Sequence, residues 1–490
     1  MTSIAERTPL LPITICLMIG ILLGSALTIS PLLLYLLLVV FLIAALRVGK
    51  HPHIQTIIIE LCVLLIGMQS AQIHTNTQDR STTSQHLLYD SAVVVSEPSE
   101  KSKTIAVDVI RIDSRQTMRC YIQKDANSRR LKPGDGITFM AKIMKGAHST
   151  IQSGYVSKER WKWEKVNIKQ LPRAMRFRII FLKWRHRLLA HYRHLGAEND
   201  VYGVLAAMTL GDKSALTPSL RDTYSMTGAS HVLALSGLHL GILYLLFTYL
   251  TQSFRYRHRM ITQVLLIVST WAFTFLVGLP VSIVRAAVMI SIFSLLSIGY
   301  RSRMSVNQLC LTAIIILLWN PQNLWDVSFQ LSFVAVLSIL LLIPLFERED
   351  PEPYQPKNRK KKIVGMIKSC IGVSVAAQIG VAPLIAFYFG RFSTYFLLTN
   401  LVIFPLVYLI LFGTIIMLVI SPFSIIVLKA VDILNGSLTF ITKLPMVSIE
   451  GLHPSVAQIL LYYVFVAMIY GAIITYSPTN ARYRSGSLQS

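Results

Sequence analysis

"TGASHVLALSGLHLG", residues 227–241, opens a long apolar segment and still contains two histidines, two serines and three glycines. Polar groups at membrane depth are costly, so such a stretch is expected either to be used or to be shielded by the protein. His231 and His239 are eight residues apart, about 80° around a continuous helix, which does not make a tight metal-binding pair. The glycines allow close helix packing or a broken segment that lines a cavity. Three explanations stay open: helix packing, a pore or gate, and a nucleophile–base pair of Ser236 and His239.

The composition predicts a membrane protein with a soluble part. Of 490 residues, 53% are hydrophobic and only 14% are charged, and the mean hydropathy is +0.56. Ordinary soluble domains contain about 25% charged residues. The formal net charge of +24 fits cytoplasmic loops, an anionic lipid surface or a polyanionic ligand, and does not choose among them.

Three apolar stretches near the N-terminus, residues 11–29, 31–46 and 56–73, approach the span length of about 20 residues. We interpret the first as a retained anchor, because it lacks a signal-cleavage site and a second apolar stretch follows at once. The basic loop 47–53 is expected in the cytoplasm by the positive-inside rule. The chain after residue 73 is then expected outside, and residues 1–73 form a first, transmembrane domain.

Residues 74–170 have a different character, with short β-rich runs separated by turn signals. Four or five strands in under a hundred residues predict a small external barrel of the OB type, and a plain sandwich without a ligand is the alternative. Cys120 is the only cysteine of this segment, which excludes a disulfide inside it. The predicted fold class is a polytopic α-helical membrane protein with a small external all-β domain.

Residues 171–195 interleave seven Lys and Arg and three His with apolar side chains and contain no acid. This pattern is typical of a basic amphipathic helix in a membrane interface, predicted over residues 171–198. Residues 74–200 hold 24 Lys and Arg against 12 Asp and Glu, a net charge of +12. Because the positive-inside rule does not explain an external excess, an anionic partner is expected, either lipid or nucleic acid.

From residue 199 to 476 the chain is almost wholly apolar, with basic loops expected in the cytoplasm and uncharged loops outside. Residues 422–443 contain a lysine, an aspartate and an asparagine, so we expect this stretch in the interface and leave the side of the tail, 477–490, open. Several polar residues lie at membrane depth and are either helix-tying groups or the lining of a hydrated path. The candidates for lining or gating are His231, Ser236, Gly237, His239, Arg285, Asp326, Gln330, Gln378 and Asn400. For Arg285 the alternatives are a snorkelling side chain and a charge that faces a polyanion.

Motifs for other chemistry are missing from the sequence. It contains no GxxxxGK[ST] phosphate loop, no HExxH and no His/Cys cluster of metal-site spacing. We therefore expect no metal, no cofactor and no catalytic residues, and interpret the chain as a passive or externally driven path.

Four segments resemble one known family. "GDKSALTPSLRDTYSMTGASHVLALSGLHLGIL", "DVSFQLSFVAV" and "AQIGVAPLIAFYFGRFSTYFLLTNLVIFPL" resemble, in this order, the competence domain of the ComEC DNA-uptake channels. "LKPGDGITFMAKI" resembles part of their OB-like domain, and the whole resemblance covers roughly residues 50–475. It implies a multi-pass channel of the bacterial inner membrane that carries single-stranded DNA into the cytoplasm during natural transformation, with the barrel on the periplasmic side.

The resemblance also implies where DNA is met. OB barrels bind single strands through basic grooves and stacking aromatics. The available aromatics are Tyr121, Phe139, Tyr155, Trp161 and Trp163, and the basic candidates are Arg176, Arg178, Lys183, Arg185 and Arg187.

Longer members of the family end in a metallo-β-lactamase-like domain, whereas only a short tail follows residue 476 here, so a separate nuclease is expected. The other expected partners are membrane lipids, a DNA-receptor protein, strand-coating proteins and a cytoplasmic helicase-like ATPase, with a monomer and a dimer both open. Two other functions stay open. One is an intramembrane hydrolase that uses Ser236 and His239, and the other is a transporter or lipid-handling protein of unknown cargo.

Overall fold

The computed structural model describes residues 8–27, 29–48, 51–79, 87–114, 116–144, 152–164, 172–251, 258–298, 305–346 and 359–476. The helices within these ranges are α1 (Leu10–Ala26), α2 (Pro31–Arg47), α3 (Pro52–Asp79), α4 (Arg173–His194), α5 (Asn199–Leu210), α6 (Pro218–Met226), α7 (Ser230–Leu233), α8 (Gly237–Leu250), α9 (Arg259–Leu276), α10 (Val281–Ile298), α11 (Val306–Trp319), α12 (Val327–Phe346), α13 (Arg359–Phe389), α14 (Phe396–Met417), α15 (Ser424–Thr442) and α16 (Val456–Tyr476). The strands are β1 (Leu87–Val94), β2 (Ser99–Glu100), β3 (Thr104–Arg111), β4 (Thr117–Gln123), β5 (Gly136–Met144), β6 (Gln152–Val156), β7 (Trp161–Glu164), β8 (Arg391–Ser393) and β9 (Ser448–Glu450).

The N-terminal helices α1 and α3 run side by side in the same direction and touch through glycine. A Cβ atom on Gly20 would lie 2.1 Å from the carbonyl oxygen of Leu64, and one on Gly24 would lie 2.5 Å from that of Met68. Small residues four apart allow this close backbone contact in lipid. Helix α3 continues past the predicted boundary at residue 73 to Asp79.

The β segment closes into a barrel. Strand β1 pairs with both β3 and β5, and the circuit β1-β3-β4-β6-β5 is completed by a parallel pairing of β4 with β6. A five-stranded closed sheet of this kind is the OB arrangement, so the predicted barrel is confirmed and the sandwich alternative is wrong. Cys120 is free and fully buried in the barrel core, where burial raises the pKa of its thiol to about 12.

Helix α4 joins the barrel to the large helical domain. One face packs Ile179 and Leu182 against the outside of the barrel, and its C-terminal half adds Leu189 and Tyr192 to the core of the helical domain. A further row of apolar residues, spaced as one helix face, remains exposed: Phe177, Ile180 and Trp184. The predicted helix therefore forms, with two sides in protein contact and one uncovered apolar side.

The remaining helices form a multi-pass membrane domain. Seven described helices are long and apolar enough to cross a membrane, namely α3, α9, α12, α13, α14, α15 and α16. Shorter apolar helices accompany them, namely α1, α2, α8, α10 and α11. Helix α5 is buried along most of its length and lies in the centre of the largest core.

Helix α15 differs from the expectation that residues 422–443 lie in the interface. Strand β8 precedes α14 and strand β9 follows α15. Because β8 pairs with β9, the start of α14 and the end of α15 lie on the same side of the helical domain. Three polar side chains motivated the expectation. Lys429 and Asp432 pair with each other at 3.1 Å on the helix surface, and Asn435 Oδ1 accepts a hydrogen bond from the hydroxyl of Tyr224 at 2.8 Å. Helix α16 then starts on the side of the β8–β9 ribbon and ends on the opposite side.

A proline inside helix α13 leaves a backbone carbonyl that another helix satisfies. Pro383 has no N–H, so the carbonyl oxygen of Ile379 loses its helical donor. The hydroxyl of Tyr462 donates to this oxygen at 2.9 Å, and Tyr463 donates to the carbonyl of Gly380 at 2.8 Å. Helix α16 is therefore held to α13 by bonds that lipid cannot supply.

The close contact of α1 and α3 generates a test. Gly24→Ala is expected to lower stability by about 1–3 kcal/mol, because the added methyl group meets backbone atoms that cannot move aside. Gly471→Ala, on helix α16 with no atom within 4 Å of the added group, is the matched control and should not lower stability, because alanine favours the helix by about 0.5–1 kcal/mol over glycine. Thermal unfolding of the purified proteins in detergent measures both. Equal unfolding temperatures for the two variants would contradict the packing.

Candidate functional site

The long apolar segment that residues 227–241 open is broken near its start. Helix α7 ends at Leu233, Ala234 and Ser236 are extended, and α8 begins at Gly237. A serine followed by glycine favours a helix start, since serine caps the first turn and glycine fits closely packed backbone. The 80° angle between the two histidines therefore does not apply, because no single helix carries both.

Ser236 and His239 form a cap on α8. The Ser236 Oγ lies 3.0 Å from His239 Nδ1, and the Ser236 backbone N–H donates to the same nitrogen at 3.3 Å. Because Nδ1 accepts, the neutral ring carries its proton on Nε2. That atom is buried and has no hydrogen-bond partner among the described residues. A nucleophile–base pair normally has an orienting group at this position, so the three-residue spacing is explained by helix capping.

His231 lies apart from this cap, on the exposed side of the break. Its Nδ1 is 3.1 Å from the carbonyl oxygen of Gly228, which only accepts, so Nδ1 carries a proton. Gly228 has φ +76°, and a Cβ there would come within 3.0 Å of Ser393 on strand β8. The positive φ and the tight contact explain why glycine precedes this histidine.

The broken segment is fixed to the first turn of α10. The hydroxyl of Ser282 donates to the carbonyl of Leu235 at 2.7 Å, which satisfies a backbone group that the break would leave unpaired. Gly237 faces Ala286, with 3.5 Å between a Cβ on the glycine and the alanine methyl group. The break is therefore a built feature, held by a side chain of the neighbouring helix.

Arg285 links α10 to the start of α12. Its side chain is 2% exposed, its Nη2 donates to Ser328 Oγ at 2.5 Å, and its Nη1 lies 3.6 Å from Asp326 Oδ1. The Arg285 Cζ stands 6.0 Å from the ring centre of Phe329. Both predicted alternatives for Arg285, a snorkelling side chain and a charge facing an open path, are corrected. The reason is that Asp326, at the N-terminus of α12, provides a counter-charge inside the protein.

Of the three remaining lining candidates, one forms a contact between two helices. Gln330 donates to the carbonyl of Leu324 at 2.9 Å and accepts from the hydroxyl of Tyr388 at 2.7 Å, which ties α12 to α13. Gln378 on α13 and Asn400 on α14 are half-buried, and their role in a path stays a prediction.

The aromatic candidates of the barrel divide into core and surface. Phe139 and Trp161 are 1% and 8% exposed and belong to the core, because β7 pairs with β5 so that the two rings lie opposite each other. Most of Trp161 is therefore unavailable on the surface, although its ring lines the cleft beside Trp163, and its contact with DNA stays a prediction. Tyr155 and Trp163 are 38% and 49% exposed. Tyr89, 70% exposed, was missed, since nothing in its strand sequence indicates which face points outward.

The basic candidates of α4 also differ in position. Arg187 is exposed, and Arg176, Arg178 and Lys183 are half-buried. Arg185 is 8% exposed and sits on the helix face of Leu182 and Leu189, so its predicted contact with DNA is corrected.

The buried Arg185 belongs to an electrostatic cluster that sequence reasoning did not find. Burial lowers the pKa of Arg185, and the nearby carboxylates of Asp212 and Glu97 oppose this shift. Burial raises the pKa of Glu97, which His186 Nδ1 contacts at 3.1 Å. The cluster joins the barrel, α4 and the turn after α5. Its members are far apart in sequence, so only the fold brings them together.

A second unpredicted cluster holds the β8–β9 ribbon to α6. Arg391 on β8 lies 3.3 Å from Asp222 and 3.7 Å from Glu450 of β9, and it also donates to Ser225. The ribbon thereby covers the turn that precedes His231.

The fold and the broken, capped helix define a multi-pass membrane protein with an OB-type barrel. The Competence protein family matches residues 208–474, which is more than half of the chain, and the chain belongs to this family. The family resemblance seen in the sequence is thereby confirmed.

Three relatives extend this finding. The chain is 22% identical over 462 residues to ComE operon protein 3 of Bacillus subtilis (strain 168), covering 89% of this chain and 56% of the relative. It is 28% identical over 261 residues to an uncharacterized protein of Aquifex aeolicus (strain VF5), covering 52% of this chain and 57% of the relative. It is 32% identical over 72 residues to competence protein ComA of Neisseria gonorrhoeae, covering 14% of this chain and 10% of the relative. The chain thus spans little more than half the length of the first two relatives, and no solved structure matches it.

The Arg285–Asp326 contact predicts a charge-specific effect. Asp326→Asn keeps the cap on α12, where Oδ1 accepts from Phe329 N–H at 2.8 Å, and removes only the counter-charge. We expect a loss of about 1–3 kcal/mol, below the usual cost for a fully buried pair because Asp326 is partly exposed. Asp432→Asn, in the exposed pair with Lys429, is the control and should change stability by less than about 0.5 kcal/mol. Equal effects in thermal unfolding would contradict a buried link.

The cap on α8 predicts a pattern of rescue. Ser236→Ala is expected to cost about 1 kcal/mol of stability, and Ser236→Asn to restore it, because asparagine is an equally good cap. If Ser236 is a nucleophile instead, neither variant retains function. Thermal unfolding and a cellular assay of competence, measured on both variants, separate the two roles.

Proposed function

We propose that this protein carries single-stranded DNA across the bacterial inner membrane during natural transformation, with its barrel on the periplasmic side. The observation that carries the proposal is membership in the Competence protein family over most of the helical domain. Competence is the state in which a bacterium takes up DNA, and one of the relatives is named competence protein ComA.

The charge distribution supports a polyanionic cargo. The barrel and α4 region, residues 74–200, has a net charge of +12. If the loops are assigned by the positive-inside rule, this excess of Lys and Arg lies outside the cytoplasm. The positive-inside rule explains only cytoplasmic positive charge, so the external excess needs another explanation. A positive surface on the entry side raises the local concentration of an incoming strand.

The broken helix supports a path through the membrane domain. Irregular backbone at membrane depth is stable only if it is buried in protein or lines a water-filled cavity. Leu235 is buried, whereas His231 is exposed and Gly241 has open space beside it. One side of the break therefore packs against α10 and the other offers polar, thin backbone to a passing strand.

The energy for directed transport is proposed to come from partners. The sequence has no phosphate-binding loop for a nucleotide motor. We propose a DNA-receptor protein and a nuclease outside, and a helicase-like ATPase in the cytoplasm that pulls the strand.

Membrane lipid is a further proposed partner, through α4. Phe177, Ile180 and Trp184 are 60%, 45% and 53% exposed on one helix face, and Arg187 nearby is exposed. An apolar stripe flanked by basic residues suits an anionic membrane surface. The lipid-handling alternative rests on this same face, so the cellular test below distinguishes it.

Deletion of the gene followed by complementation tests the proposal. We expect transformation frequency to fall to background while labelled DNA still accumulates outside the inner membrane, because only the last crossing is blocked. Wild type should restore transformation, and Ser236→Asn should also do so if capping is the role of Ser236. Unchanged transformation in the deletion strain, or loss of DNA accumulation along with transformation, would contradict a role at the inner membrane.

A further inference from the structure

Three outward-facing residues of the barrel stand side by side on adjacent strands. Tyr121 of β4 is in register with Tyr155 of β6, which is in register with Lys142 of β5. Paired residues point to the same face of a sheet, and neighbouring strands are about 4.8 Å apart. At least one neighbour of each residue lies in the barrel core, namely Cys120, Ile122, Ala141 and Val156, so these three side chains face outward.

The row continues onto the next strand. Met140 precedes Lys142 by two residues and so shares its face, and Met140 is in register with Tyr89 of β1. Tyr89 is the most exposed aromatic side chain of the barrel region described, at 70%. Beside it lies a cleft of about 460 Å³ whose lining includes Tyr89, Thr138, Met140, Arg160, Lys162 and Trp163.

The face that OB barrels commonly use for nucleic acid is occupied differently here. That face lies on the second and third strands of the barrel, which are β3 and β4. Arg119 of β4 donates to both carboxylate oxygens of Asp108 on β3, at 2.7 and 3.0 Å. These hydrogen bonds raise the pKa of Arg119 and neutralise the central cation of that face.

The charges near the row are mixed. Lys142, Arg160 and Lys162 are exposed, while Glu159 and Glu164 line the same cleft. Glu164 already accepts a hydrogen bond from the hydroxyl of Thr138. A ligand held here is therefore recognised by stacking on aromatic faces together with a few cations, and not by a dense positive field.

We propose that single-stranded DNA binds the barrel along this row, which we name the aromatic track and define as Tyr89, Tyr121, Lys142 and Tyr155. The track crosses four strands over about 15 Å, enough for a few nucleotides. Bases stack on the tyrosine rings, and phosphates lie near Lys142 and the cations of the cleft. The inference rests on the proposed function and specifies which surface of the barrel serves it.

Binding of a fluorescent oligothymidylate to the full-length protein in nanodiscs tests the track. Each stacked base contributes about 5- to 150-fold in affinity, so the double variant Tyr89→Ala, Tyr155→Ala is expected to bind about 30-fold more weakly or worse. The double variant Tyr89→Phe, Tyr155→Phe keeps both rings and should bind within about twofold of wild type. Arg119→Gln probes the β3–β4 face, and because Arg119 also interacts with the hydroxyl of Tyr121, it is not a neutral reference. Arg129→Gln, in the exposed pair with Glu100 of β2, is the control and should have little effect.

The outcomes separate the track from the function. Wild-type affinity in the double alanine variant, with unchanged thermal unfolding, overturns the track, and a loss confined to Arg119→Gln moves the site to the β3–β4 face while the proposed function stands. If the folded wild-type protein binds no single-stranded DNA, both the track and the proposed function are overturned.

Discussion

Every backbone polar group at membrane depth must find its partner inside the protein, and the helical domain is arranged around this constraint. Where the chain breaks before α8, the hydroxyl of Ser282 supplies the bond for Leu235, and Ser236 with His239 caps the new helix. Where Pro383 removes a donor, Tyr462 replaces it. The irregular backbone at the break is thus stabilised by a side chain of another helix. This dedicated contact indicates that the break has a function.

The same constraint governs the charges. Arg285 is almost fully buried and depends on Asp326 and Ser328 at the start of α12. This contact ties α10 to α12 close to the break, so the position of the broken segment and the spacing of these helices are coupled. The geometry of this wall of the proposed path is therefore set by the contact of the buried Arg285 with the partly exposed Asp326.

The barrel is connected to this wall through α4. The helix packs against the barrel at Ile179 and Leu182 and against the helical domain at Tyr192, and the Glu97–His186 contact lies at the same junction. An incoming strand held on the barrel would thereby be delivered at a fixed position relative to the β8–β9 ribbon and His231. The free apolar side of α4 is suited to rest on lipid.

Local patterns in the sequence were enough to predict the barrel, the basic helix and an unusual segment at residues 227–241. Glycine, proline and alternating apolar residues influence the backbone over only a few positions, so their structural effect can be predicted from the sequence alone. The burial of Arg185 was also predictable, because the spacing of Leu182, Arg185 and Leu189 places all three on one helix face.

Contacts between residues that are far apart in the sequence could not be predicted. Asp326 is 41 positions from Arg285, and His186 is 89 from Glu97, so neither pairing has a local signature. Trp161 and Trp163 are two apart in one strand, yet only the first reaches the core, because only the fold determines where the barrel ends.

Translocation in purified vesicles tests the central claim most directly. The protein is reconstituted into liposomes that contain a single-strand-binding protein as an internal trap, and a fluorescent oligonucleotide is added outside. The account predicts that a single strand accumulates inside protein-containing vesicles above the level in empty vesicles, and that the same sequence as a duplex does not. Folded protein, present in both orientations, that admits no more single strand than empty vesicles would contradict the account.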